Sequence, residues 1–169
     1  MSNSEVFMDF RLSGPGWADL ELRIGEQTFL MGGVSYTTDV LGDLLRMALM
    51  LATGAWIARA SFDGEPREWR LVGKDVWGFG NHNARFQISV LEFPDFYESL
   101  ADEKGQMSFE VECDKSSFTQ SVLDMTQRFV AAISIEKYEW GNHPFPVRAL
   151  AALETALTIE DSANSPQTV

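Results

Sequence analysis

Asp19-Leu20-Glu21-Leu22-Arg23-Ile24 alternates charged and aliphatic residues without a break. Successive side chains of a strand point to opposite faces, so this stretch is a strand with one buried face and one wet face. Upstream, Met8, Phe10 and Leu12 alternate with Asp9 and Arg11, and Gly14-Pro15-Gly16 marks the turn between the two runs. Downstream, Gly25-Glu26 suits a tight hairpin. Residues 27–31 return as a third strand that ends at Gly32-Gly33. A second block repeats the pattern, with Trp56, Ala58, Ala60 and Phe62 alternating with Ile57, Arg59 and Ser61. Asp63-Gly64-Glu65-Pro66 turns the chain into a strand carrying Trp69 and Leu71, and another follows with Phe86, Ile88 and Val90. A last strand, 107–113, places Phe109, Val111 and Cys113 on one face. This alternation assigns Trp56, Phe62 and Trp69 to the core.

Between the blocks, residues 38–53 change period. Val40, Leu41, Leu44, Leu45, Ala48, Leu51 and Ala52 recur at helical spacing, with Thr38 as N-cap and Gly54 as the stop. Ser117 and Gln120 read as a capping box for a second helix with the stripe Phe118, Val122, Met125, Phe129 and Ile133, and an Asp124–Arg128 pair on its surface. After Pro144 and Pro146, residues 146–159 form a third, with Val147, Leu150, Leu153 and Leu157 inward. Residues 95–103 read as a short helix or a structured loop. The expectation is one α+β domain over 1–161 and a disordered tail over 162–169. Its antiparallel sheet has about six or seven strands, with three main helices packed on one face.

Composition narrows the function. The 169 residues carry 25 acids and 13 Lys or Arg, a net charge of −12. Nucleic acid and anionic membranes are thereby disfavoured as partners, since both call for clustered basic residues. The longest apolar stretch, 44–52, is interrupted by Arg46 and falls far short of the ~20 residues of a membrane span. With one cysteine, Cys113, no disulfide can form within the chain. The first residues lack a basic segment followed by an apolar one, so the expected location is the cytoplasm.

Catalytic and metal motifs are missing from the pattern. His82 and His143 lie in turns and in no metal-ligand spacing. Gly78-Phe79-Gly80 lacks the remaining residues of a phosphate-binding loop. Cys113 has no local base and reads as a buried structural thiol. The expectation is therefore no catalytic residue, no cofactor and no metal. Two clusters could line a small-molecule pocket: Asn81, His82, Asn83 and Arg85, or Glu136, Glu139 and His143 around Trp140.

Charge is spread unevenly. Residues 92–114 hold eight acids and one base, Lys104, with Phe93, Phe96 and Tyr97 among them. Acids mixed with aromatics suit a basic protein partner, the aromatics as anchors and the acids as steering charges. The candidate contact residues are Asp95, Phe96, Tyr97, Glu98, Asp102, Glu103, Glu110, Glu112 and Asp114. Spacing by two places Glu110, Glu112 and Asp114 on one strand face.

The helix Asp39-Val40-Leu41-Gly42-Asp43-Leu44-Leu45-Arg46-Met47-Ala48-Leu49, followed by the hairpin from Ala58 to Leu71 with Glu65-Pro66 at its turn, resembles a group of small bacterial proteins with the same succession. In size, acidity and single-domain character the chain is also similar to immunity proteins of bacterial polymorphic-toxin systems. That resemblance implies a non-catalytic protein that neutralises a cognate, basic toxin by covering its active site. The alternatives are a small-molecule-binding domain or enzyme with its pocket near His82 or His143, and a structural subunit that dimerises through a sheet edge.

Overall fold

The structure, a computed structural model, describes residues 5–77 and 84–164. Among these residues, seven antiparallel strands and three α-helices form an α+β fold. The strands are β1 (Val6–Gly14), β2 (Trp17–Ile24), β3 (Gln27–Ser35), β4 (Ile57–Gly64), β5 (Arg67–Val76), β6 (Arg85–Phe93) and β7 (Gln106–Cys113). The helices are α1 (Val40–Ala52), α2 (Lys115–Ile133) and α3 (Val147–Asn164). The strands divide into two meanders rather than one continuous sheet, β1-β2-β3 and β4-β5-β6-β7. The α1 helix lies between them in the chain, and β3 and β4 adjoin without a ladder. Instead Trp69 Nε1 donates to Gly32 O at 3.2 Å, and the Phe29 ring meets Trp69 edge-on.

The alternation in β2 does what its pattern requires: Leu20 and Leu22 are fully buried, and Glu21 and Arg23 pair on the other face at 3.0 Å. Arg11 reaches the same Glu21 at 2.9 Å, so the outer face of the first sheet is a wet lattice of ion pairs. In the second sheet Ala58, Ala60, Phe62, Leu71, Ile88 and Val90 face the shared core. Trp56 departs from its expected place. It lies just before β4 and is 65% exposed.

Burial surrounds α1, where Leu41, Leu44, Leu45 and Ala48 are all fully buried. It packs on β4 and against both α2 and α3, while α2 lies along β1. Its N-cap is Asp39 rather than Thr38: the Asp39 carboxylate accepts the Gly42 N–H at 3.2 Å. The expected start of α2 also shifts. The helix begins at Lys115, with Asp114 at the N-cap position, and the Ser117–Gln120 box is not used. Ser117 Oγ donates to Asp114, and Gln120 donates to Asp124 at 2.8 Å. Arg128 leaves Asp124 for the Met8 carbonyl and the face of Phe7. In α3, Leu153 and Leu157 point inward but Val147 is exposed, and the helix runs on to Asn164. No helix among the described residues is long and apolar enough to cross a membrane.

Leu44 touches the core from the middle of the most enclosed element. Leu44→Ala should therefore lower unfolding free energy by about 3 kcal/mol, the middle of the range for buried leucine truncations. Urea denaturation followed by tryptophan fluorescence measures it.

Candidate functional site

The outer face of the second sheet is not open. Glu68, Arg70 and Val72 of β5 point away from the main core, yet all three are buried. They are covered by the segment from Phe93 to Gly105, which crosses the sheet through two short 3₁₀ turns, Phe96–Glu98 and Asp102–Lys104. A small apolar cluster of Val72, Leu91 and Phe93, with Leu100 and Ile57 against it, lies beneath. Polar tethers hold the segment down. Arg70 donates to Leu100 O at 2.7 Å and to Asp102 at 2.8 Å. Arg59 Nε takes the other Asp102 oxygen at 2.7 Å.

Arg70 is the centre of this arrangement. Its guanidinium forks onto both oxygens of Glu68 at 2.8 and 3.1 Å and stacks over the Phe93 ring at 4.2 Å. Glu68 is only 2% exposed. A carboxylate so far from water is tolerable only with a paired, hydrogen-bonded cation. Asp102 then balances the second arginine. Burial alone would raise its pKa, but the hydrogen bonds and charges of Arg59 and Arg70 outweigh burial and hold it below the ordinary carboxylate value.

The sequence-predicted contact residues thus divide. Asp102 is a fastener within the fold. Asp95 caps the first 3₁₀ turn by accepting the Tyr97 N–H at 2.8 Å. Glu112 pairs with Arg85 at 2.6 Å on the outer face, and Glu110 lies beside it, reached by Ser89 Oγ. Asp114 serves at the head of α2. Phe96 is half-buried and meets Tyr97 edge-on at 5.4 Å. Glu98 and Glu103 are exposed, and no ion pair among the described residues involves them. Tyr97, 75% exposed, stands at the crest of the segment. Its hydroxyl reaches the buried Asp63 at 3.5 Å, whose other bonds come from Thr37 Oγ1 at 2.8 Å and the Glu65 N–H. Arg59, Ser61, Glu68, Arg70, Phe96 and Tyr97 surround a recess of about 390 Å³.

A larger feature lies elsewhere. The β1–β2 turn, the loop after β3 and the loop 138–144 enclose an open depression of about 900 Å³. Trp140 anchors it from inside, donating from Nε1 to Thr38 O at 2.8 Å. Its turn closes through the Trp140–His143 bridge, with Gly141 at φ 57°. Tyr36 stands in the depression with its ring gripped at both edges. A Cβ on Gly16 would fall 2.6 Å from its Cδ1, and one on Gly141 would fall 2.5 Å from its Cδ2. Glu139, Asn142 and His143 add polar groups. The Tyr138 hydroxyl is buried without a hydrogen-bond partner among the described residues, and burial, with Asp39 nearby, pushes its pKa up. Asp43, near His143, is also raised, chiefly by burial. Glu139 and His143 of the second expected cluster therefore come together here, whereas Glu136 lies exposed on the preceding 3₁₀ turn and does not line the depression. Of the first cluster, Asn81, His82 and Asn83 lie outside the described residues, and Arg85 is committed to Glu112.

Two features were missed by sequence reasoning. Tyr36 carries no motif; its only signal is the pair of distant glycines that make room for it. Trp56 and Trp77, 65% and 64% exposed, lie on neighbouring strand ends, since Trp56 pairs through its carbonyl with the Asp75 N–H. Strand alternation alone placed Trp56 inward.

Three outcomes follow from this geometry. Arg70→Met strands Glu68 as a buried, unpaired charge and should cost about 3 kcal/mol in denaturant unfolding. The depressed pKa of Asp102 means that its stabilisation is present above its unfolded value, about 3.9, and is lost as pH falls through the lower folded value. Asp102→Asn should therefore flatten the fall of stability with pH in that acid window, as read by denaturation at stepped pH. Burial, followed by the charge of Asp114, pushes the Cys113 thiol up to about 12. Iodoacetamide at pH 8 should thus label folded protein far more slowly than unfolded protein.

No family model, curated protein or solved structure matches the chain, so its functional reading rests on its own geometry.

Proposed function

We propose that this chain is a non-catalytic protein-binding protein of the cytoplasm, an immunity protein that neutralises a basic toxin by covering its active site. The observation that carries the reading is Tyr97. A large aromatic side chain stands 75% exposed on a turn that Asp95 caps and Asp63 braces, with the carboxylates of Glu98 and Glu103 close by in the chain. An exposed, pre-positioned tyrosine ringed by acids supplies an anchor that loses little freedom on binding, together with charge that speeds encounter with a cationic surface. The Arg70–Asp102 fastening keeps this crest rigid. Of the eight acids in 92–114, those left outward act on the partner, and those turned inward hold the platform.

Purification from the native host with mass-spectrometric identification of bound protein tests the proposal. The expected partner is basic, toxic when expressed alone and harmless when this chain is co-expressed. Recovery of the chain alone, or only as a self-assembly, would sink it. Against that partner, Tyr97→Ala should weaken binding by about 2 kcal/mol, while the loss of its Asp63 and Phe96 contacts lowers the melting temperature only slightly. Glu98→Gln with Glu103→Gln should slow association and flatten its salt dependence while leaving dissociation near wild type.

A second reading, a small-ligand site at His143, is favoured by the depression that joins His143 to Tyr36 and Glu139.

A further inference from the structure

We infer that the Tyr36 depression receives a small organic cation, a molecule carrying a guanidinium or ammonium group. It would stack on the Tyr36 ring beside the Glu139 carboxylate. The inference deepens the small-ligand reading of this site and rests on it.

Rigidity is the first support. Tyr36 is 46% exposed, yet its backbone N–H donates to Gly16 O at 3.0 Å, and its ring edges rest against Gly16 and Gly141. Both glycines hold positive φ, 75° and 57°, a conformation that side-chain-bearing residues adopt at a cost. Two turns from distant parts of the chain therefore hold one half-exposed aromatic ring in place. A ring fixed in advance gives up little side-chain entropy when it is covered.

Charge supplies the ligand class. Glu139 and His143 are among the lining residues, and no lysine or arginine of the described residues is. An anion would meet Glu139 with no fixed positive charge opposite it. A cation meets Glu139 and the negative face of an aromatic ring, an attraction that strengthens as water is excluded. Bare metal ions are a poorer fit: no group of three His, Cys, Asp or Glu among the described residues is arranged to hold one. The space, about 900 Å³ and open to solvent, takes a guanidinium with the chain that carries it. A neutral sugar could also stack on Tyr36 and use Asn142, but it would make no use of the Glu139 charge, which separates the two.

The test is an NMR titration of the full chain at physiological ionic strength with three probes. These are N-acetyl-arginine methylamide, its uncharged isostere N-acetyl-citrulline methylamide, and methyl glucoside. The arginine probe should give saturable shifts at the Gly16, Gly141 and His143 amides and the Tyr36 ring. Citrulline should bind about 5-fold or more weakly, the factor for ~1 kcal/mol of cation–ring attraction at an exposed site, and Glu139→Gln should weaken the arginine probe by up to about 5-fold, the upper end for an exposed ion pair. Tyr36→Ala should remove the saturable shifts. Glu139 is exposed, so its variant reports on charge without disturbing the fold. Equal binding of arginine and citrulline, or a preference for the glucoside, would overturn the cationic class and leave the small-ligand reading standing. If no probe saturates in the depression, with arginine shifts only scattered over surface carboxylates, both fail together.

Discussion

Enclosure of α1 is the constraint on which the rest of the molecule depends. Its buried residues, Val40, Leu41, Leu44, Leu45, Met47, Ala48 and Leu51, cover so much of its surface that one sheet cannot shelter them. Apolar area removed from water contributes roughly 25 cal/mol per Å², so each flank of such a helix must find a cover. The second sheet takes one side through β4, and α2 and α3 take others. The chain places this helix between its two meanders, and both sheets contribute to the same core. The Trp140 indole, buried and bonded to Thr38 O just before α1, ties the last loop to the same element.

A second constraint acts on the far side of the second sheet. Glu68 and Arg70 form a buried pair, and a buried pair needs the rest of its donors and acceptors satisfied. The 93–105 segment supplies them through Leu100 O and Asp102, and in doing so becomes fixed. The crest carrying Tyr97 is thus positioned by electrostatics as much as by apolar contact, since the cluster beneath it is only Val72, Leu91 and Phe93 with their neighbours. The Tyr36 depression is built by opposite means, from glycine turns and an anchored tryptophan, with little charge in its support.

Most of the strands and helices were legible in the residues because their patterns are local. Leu20, Leu22 and Ile24 are inward, and Glu21 and Arg23 outward, as a period of two demands. Capping was less legible. Thr38 and Ser117 are good N-cap residues, but α1 takes the next residue, Asp39, as its cap, and α2 begins at Lys115, with Asp114, three residues before Ser117, at its N-cap position. The acidic stretch was legible as a composition and not as an arrangement. Asp102 and Glu103 are adjacent and chemically alike, yet one is forked between two arginines from other strands and the other is exposed.

By itself, then, the sequence determined the α+β class, the order of its elements, the buried face of most strands and the surplus of acid in its second half. Those properties depend on neighbours within a few residues. Only the tertiary structure decided that Trp56 is exposed, that Arg59 and Arg70 consume Asp102, and that Gly16 and Gly141 meet on either side of Tyr36. Periodicity says which way a side chain points, but not what the fold brings to cover it. Those meetings join residues far apart in the chain, and no local pattern records them.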